Sequence, residues 1–334
     1  MHGRGGAESR QQQQQTPKAP KGPNPTNGQP QEENPMAAGP MAADSRVVVV
    51  VTGANRGIGK AVVRQLVQQD GRPVVVYLTA RDVECGQLAV DDVRRAAYTS
   101  GVAGGGRRNE VRFHQLEVGN GSSEAAFLAY LTLVHGRRSV DVLLNNAGGV
   151  ARSGAEVVRR CDGNAAAACV AMNYATAVRM TERTLPHMRD GGRVLFMASA
   201  LGHLGIFSGD LPRVLTSPDL TVRGLDIIEN GFVSAVRRGN YASYGFPPMP
   251  FAVAKAGLVA YARVLARTHA DDPRHMFFAA ICPGYVRTAM TGPQAPLSPD
   301  QGAETPVYLA LTPDHHRLLR HNGELWKRLK PLKW

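Results

Sequence analysis

Residues 47–59 read VVVVVTGANRGIG: five valines, a turn carrying three spaced glycines, and the opening of a helical pattern. A valine run of this length favours a strand buried on both faces. After it the chain must turn sharply and start a helix whose free N–H groups face the turn. Gly53 and Gly57 permit positive φ and close backbone approach, and Gly59 lets the helix pack against the strand. Such a helix start is a pocket for a pyrophosphate. A plain βα turn with incidental glycines is the competing reading, but the strand before and the helix after count against it. The stretch predicts a dinucleotide site.

Other motifs stand at matching separations. Asn145-Asn146-Ala147-Gly148 follows one strand-like run, Ser199 follows another, and Pro283-Gly284 comes after the last. With the T-G-A-N-R-G-I-G spacing, which departs from G-x-G-x-x-G, this set resembles the short-chain dehydrogenase/reductase family. The stretches LTARD at 78–82, ICPGYVRT at 281–288 and GAETPVY at 302–308 resemble its carbonyl reductase branch. The resemblance covers almost everything from Arg46 onward.

The bulk numbers are compatible with this. A chain of 334 residues with 43% hydrophobic content can build an ample core. No apolar stretch approaches the roughly 20 residues that span a bilayer. Cys85, Cys161, Cys169 and Cys282 form no C-x-x-C pair, which argues against a zinc site or a disulfide framework and suits a reducing compartment. Cys282, at a strand end, reads as core. With no signal peptide visible, a cytoplasmic location is the default expectation. The net charge of +12 is spread along the chain without an aromatic-interleaved basic cluster, so nucleic acid is not expected as a partner. The most basic stretch, 315–334, reads as a solvated face, with an acidic partner surface as the alternative.

Residues 1–45 are glutamine-, proline- and glycine-rich and are expected to be a disordered tail. Beyond them strand-like runs (46–52, 73–79, 111–116, 140–145, 192–198, 276–281) alternate with helical patterns (57–69, 86–97, 122–135, 165–188, 251–270). This alternation predicts one α/β domain over 46–334, a Rossmann-type doubly wound parallel sheet with helices on both faces. The strand C-termini, and every motif, then share one edge. The pattern breaks over 202–250, where a short helix at 225–237 precedes Pro247, Pro248 and Pro250. The carbonyl reductase resemblance implies that this insertion covers the substrate side and a face used elsewhere for dimerisation, hence a monomer.

The second strand ends in Arg81, and Arg56 sits inside the glycine turn. An acid at that strand end would accept from a ribose 2′-hydroxyl; paired guanidiniums suit a 2′-phosphate instead. The expected cofactor is NADP(H), with Asp82 read as a helix cap. The expected cofactor residues begin with Gly53, Asn55, Arg56, Gly57, Ile58, Gly59 and Arg81. The resemblance adds Glu117 at the adenine, Asn145, Ala147 and Gly148 along the ribose and nicotinamide side, and Pro283, Gly284, Val286 and Thr288 at the nicotinamide amide. No metal site is expected.

Hydride transfer to a carbonyl leaves developing alkoxide charge that needs hydrogen-bond donors and a proton. The resemblance implies a tetrad: Asn173 holding a bent helix and a water relay, Ser199 polarising the substrate oxygen, and Lys255 binding ribose and lowering a tyrosine's pKa. That tyrosine belongs four residues before Lys255, on the same helix face, and Phe251 stands there. Phenylalanine can neither donate a proton nor ionise. Three readings stay open: a neighbouring phenol (Tyr241, Tyr244 or Tyr285) substitutes; the chain binds NADP(H) without fast turnover, as a sensor or scaffold; or Ser199 and a water support slow reduction of easily reduced carbonyls such as quinones.

Overall fold

The strand β1 (Val47–Val51) lies in the middle of the sheet with every residue buried. Its pleat divides it: Val48 and Val50 join one apolar cluster, and Val47, Val49 and Val51 join the other. A strand sandwiched in this way needs the two-sided valine run that the sequence has. The computed structural model describes residues 46–99, 109–149 and 161–334; the tail of residues 1–45 lies outside them.

On one side of β1 comes β2 (Val74–Ala80), then β3 (Glu110–Gln115). On the other come β4 (Val140–Asn145), β5 (Met188–Met197), β6 (Phe277–Ile281), β7 (Leu325–Lys327) and β8 (Lys330–Leu332). All pairings are parallel except the last, where β8 runs back against β7. Helices α1 (Gly57–Gln68) and α2 (Val83–Thr99) supply Val63, Leu66 and Val90 to one face. The other face is covered by α3 (Gly121–His135), α4 (Gly163–Val170), α5 (Thr176–Thr184), α7 (Val222–Arg237) and α8 (Pro250–Thr268). α6 (Leu211–Leu215) is a short turn of helix between them. The expected doubly wound parallel sheet, with helices on both faces, is what forms.

Two boundaries and the C-terminal stretch carry structure that the expectation lacked. The helical pattern at 165–188 is α4 and α5 joined by a π turn at Ala171–Ala175, and it ends at Thr184. β5 begins at Met188 instead of residue 192, because Met188 pairs with Val140 before a bulge; the next pair is Arg193 with Val142, and Gly191 supplies a φ of +70° between them. The basic terminal stretch presents the solvated face expected of it, with Arg317, Arg320, Arg328, Lys330 and Lys333 exposed, but it is also folded. After α9 (Pro299–Leu311) it forms α10 (His315–Leu319) and the β7–β8 hairpin, whose Trp326 is buried.

α7, inside the 202–250 insertion, buries Leu225, Phe232 and Val236 and packs on α4 and α8. It also buries a carboxyl, Glu229, at 2% exposure. A side chain on Gly257 of α8 would run into Glu229 Oε1, so the glycine is what admits this acid. Glu229 Oε2 has no hydrogen-bond partner among the described residues. Burial first, and then the nearby charge of Asp226, push the carboxyl up to about 8. Asp226 itself accepts from the Tyr174 hydroxyl at 3.0 Å.

The folded chain therefore holds a proton on Glu229 that the unfolded chain releases near pH 4.3. Between that pH and about 8 the unfolded state binds fewer protons, so stability declines as pH rises, by at most ~1.4 kcal/mol per unit. Glu229→Gln, which mimics the protonated form, should flatten the dependence of Tm on pH and melt above the natural chain at pH 8. Thermal unfolding from pH 5 to 9 checks this; an unchanged slope in the variant would refute it.

Candidate active site

The turn after β1 is held by the turn after β4. Thr52 Oγ1 accepts from the backbone N–H of Asn146 at 3.0 Å and of Ala147 at 2.9 Å. Asn146 returns its side-chain amide to the carbonyls of Thr52 (2.9 Å) and Gly53 (3.1 Å). Gly53 and Gly57 take φ of +60° and +57°. A Cβ on Gly53 would lie 2.9 Å from Ala147 Cα, and one on Gly59 only 2.5 Å from Asn146 Nδ2. Gly59 thus makes room for Asn146 and the turn itself, a closer reason than packing on the strand.

α1 starts without a side-chain cap, so its first N–H groups are left for an acceptor outside the helix. Arg56 and Arg81 are both exposed, and neither side chain makes a hydrogen bond or ion pair among the described residues. Asp82 accepts from the Cys85 N–H at 2.7 Å, the capping role expected of it, and that bond is the main reason its carboxyl titrates low. Asp82 raises the pKa of the exposed Cys85 thiol, and Arg56 is near enough to oppose the shift. Both guanidiniums therefore stand by the start of α2. An uncapped helix start, a turn with no space for side chains and two unengaged guanidiniums fit a phosphorylated dinucleotide.

The remaining expected cofactor positions divide between groups that are engaged elsewhere and groups that are not. The Asn145 side chain is buried and donates to Thr181 Oγ1 at 2.9 Å. It holds β4 to α5, so a cofactor contact through that side chain is not what this structure builds; its neighbour Asn146 is the one bonded to the turn. Ile58 packs in the core near Gly302, and Val286, 2% exposed, does the same. Glu117 is exposed and accepts from Asn120 at 3.1 Å. Asn55 is half-buried in the turn. Pro283 and Gly284 follow β6, and the loop beyond them brings Thr288 over the glycine turn, 3.5 Å from where a Gly57 Cβ would be.

Asn173 lies within the π turn, 1% exposed. Its Nδ2 donates to Gly149 O at 2.6 Å and to Cys169 O at 3.0 Å, while its Oδ1 accepts from Gly149 N at 2.9 Å. Lys255 is 5% exposed, donating to Met197 O at 2.7 Å. A Cβ on Gly148 would meet Asn173 Oδ1 at 2.8 Å and Lys255 Nζ at 3.5 Å, so this glycine lets both groups converge. Lys255 Nζ stands 5.2 Å from the centre of the Phe251 ring. Burial pushes its ammonium down to about 8. Ser199 follows β5 two residues beyond Met197, and its Oγ accepts from Leu201 N at 3.2 Å. Cys282 is buried, as expected, with its Sγ accepting from Ala200 N at 3.2 Å.

None of the three candidate phenols is hydrogen-bonded to Ser199, Asn173 or Lys255 among the described residues. Tyr285 is 54% exposed with its hydroxyl 3.5 Å from Thr291 O, Tyr244 is 55% exposed, and Tyr241 packs against the core. Sequence reasoning missed Thr52, Asn146, Gly149 and Cys169. The first three flank or belong to the motifs quoted, and Cys169 is one helical turn before Asn173, so spacing could have found them.

The chain and its fold have clear counterparts among known proteins. Residues 47–210 match the family model described as short chain dehydrogenase. Carbonyl reductase [NADPH] 1 of Rattus norvegicus is 35% identical over 82% of this chain and 93% of its own length; the Homo sapiens protein of that name is 33% identical over 80% and 91%. The solved structure of salutaridine reductase from Papaver somniferum superposes with a TM-score of 0.67 at 26% identity, covering 80% of this chain and 97% of that one. The chain belongs to the short-chain dehydrogenase/reductase family and is carbonyl reductase-like.

Proposed function

We propose that this protein is an NADPH-dependent oxidoreductase acting on carbonyl or quinone substrates, with its chemical step slowed because Phe251 replaces a phenol. The observation that carries the reading is Lys255, buried and poised over the Phe251 ring with Asn173 and Gly148 alongside. The curated relatives are named as NADPH carbonyl reductases, which supports the cofactor and the substrate class.

The uncapped start of α1 would receive the pyrophosphate, with Arg56 and Arg81 at the ribose phosphate. Lys255 would bind the nicotinamide ribose. The reduced cofactor, when bound, supplies hydride. Ser199 Oγ–H would donate to the substrate oxygen, and the Asn173-held loop would shape the pocket floor. A Cβ on Gly149 would meet Met290 at 3.5 Å and Met172 at 3.9 Å, and apolar side chains beside the Asn173-held loop support a weakly polar substrate. The missing step is proton delivery by a tuned acid, which typically contributes ~10²–10⁴ in rate. A water would have to serve, and quinones, which need less acid help, become the better substrates. Phe251 also favours a second reading, an NADP(H)-binding sensor or scaffold without turnover. The insertion over 202–250 supports a monomer in either case.

Two measurements test this. Phe251→Tyr should raise the rate of NADPH oxidation with a quinone or diketone by ~10²–10⁴; activity confined to the variant would favour the sensor, and strong natural activity that tyrosine does not improve would overturn the impairment. Arg81→Ala should weaken NADPH binding by roughly tenfold to a hundredfold in a fluorescence titration while hardly altering NADH. Equal losses for both cofactors would show that Arg81 does not meet the phosphate.

A further inference from the structure

The turn that carries Ser199 is gripped from a distant part of the chain. Trp334, beyond β8, donates its indole N–H to Gly202 O at 2.7 Å and is half-buried against the apolar cluster containing Phe196, Ala198 and Ala256. Gly202 is also flush with α8: a Cβ there would lie 2.6 Å from Ala256 N and 2.8 Å from the Lys255 carbonyl carbon. The Gly202 N–H closes the turn by donating to Ser199 O at 3.0 Å, and His203 N–H donates to Ala200 O at 3.2 Å.

We propose that Trp334 is a positioning residue for Ser199: its indole N–H and the Lys255–Ala256 backbone together hold Gly202 and fix the turn on which the serine stands. A 3₁₀ turn of three residues has too few bonds of its own to be rigid. The Cys282 sulfur ties down its first N–H. The Gly202 end is confined by its packing on α8 and, among the described residues, is anchored outside the turn by a hydrogen bond only through its carbonyl, to Trp334. The hairpin is itself fixed to the same region, since Cys282 N–H donates to Trp326 O at 2.8 Å. Ser199 and Lys255 come from separate elements, and Gly202 is where their elements touch. An error there changes their separation directly, and small misplacements of catalytic groups have large effects on rate.

This inference rests on the proposed role of Ser199 in polarising a carbonyl, so its test has an arm independent of turnover. Trp334 is replaced by its benzothiophene isostere, which keeps the ring packing and removes only the N–H donor, with Trp334→Phe as a second variant. In the protein without cofactor, amide hydrogen exchange should quicken about tenfold at Gly202 and His203 in both variants, while β1 amides stay as slow as in the natural chain. In the Phe251→Tyr background, the isostere should lower kcat about three- to tenfold with NADPH affinity unchanged. Unaltered exchange at Gly202 and His203 in the isostere would overturn the proposal. So would quickened exchange accompanied by an unchanged kcat. If Phe251→Tyr gives no turnover at all, the proposed function fails, and the exchange arm still decides whether Trp334 fixes the turn.

Discussion

Two turns that follow the adjacent strands β1 and β4 press together here with no space for a side chain between them. The contact of Gly53 with Ala147, stitched by Thr52 and Asn146, fixes the start of α1 relative to the end of β4. From the end of β4 the chain continues to Gly148 and Gly149, where Asn173 and Lys255 converge. The uncapped start of α1 and the buried lysine are thereby parts of one unit. Loosening the first contact would displace both, because each is referred to the same few backbone atoms.

The electrostatics of that unit are unusual in one respect. Lys255 is buried without a carboxylate partner among the described residues and is held by a carbonyl and an aromatic face. A buried cation costs free energy unless something offsets it. Its lowered pKa expresses that cost. In a site with a phenol the lysine charge would stabilise the phenolate; here the neighbouring ring has no ionisable group. Against Gly257 of the same helix, Glu229 is a buried acid kept protonated, so α8 carries one group displaced from its ordinary titration range and packs against another.

Much of this was legible in the residues. The valine run required a two-sided strand, the alternation required a parallel sheet, and the glycine turn required a helix opening toward it. Phe251 could be recognised as a departure because the residues around it, through Lys255, keep their pattern. Where the reading failed, the deciding contacts were between distant segments. Asn145 and Asn146 are adjacent and chemically identical, yet one is directed into the core at Thr181 and the other to the turn. Strand alternation says they point to opposite sides but not which side holds what. The start of β5 was missed because Met188 pairs ahead of a bulge, which leaves no period-two signal.

By itself, then, the sequence determined the fold class, the turn chemistry at Gly53 and Gly57 and the absence of a hydroxyl at position 251, because these follow from local sterics, periodicity and side-chain chemistry. Only the tertiary structure decided that Asn173 grips Gly149, that Glu229 is sealed against Gly257, and that Trp334 reaches Gly202. Those contacts join residues 24, 28 and 132 positions apart. Nothing in a local pattern encodes such a meeting; it arises when strands pair and helices pack, and close packing leaves one arrangement in which most buried polar groups find partners.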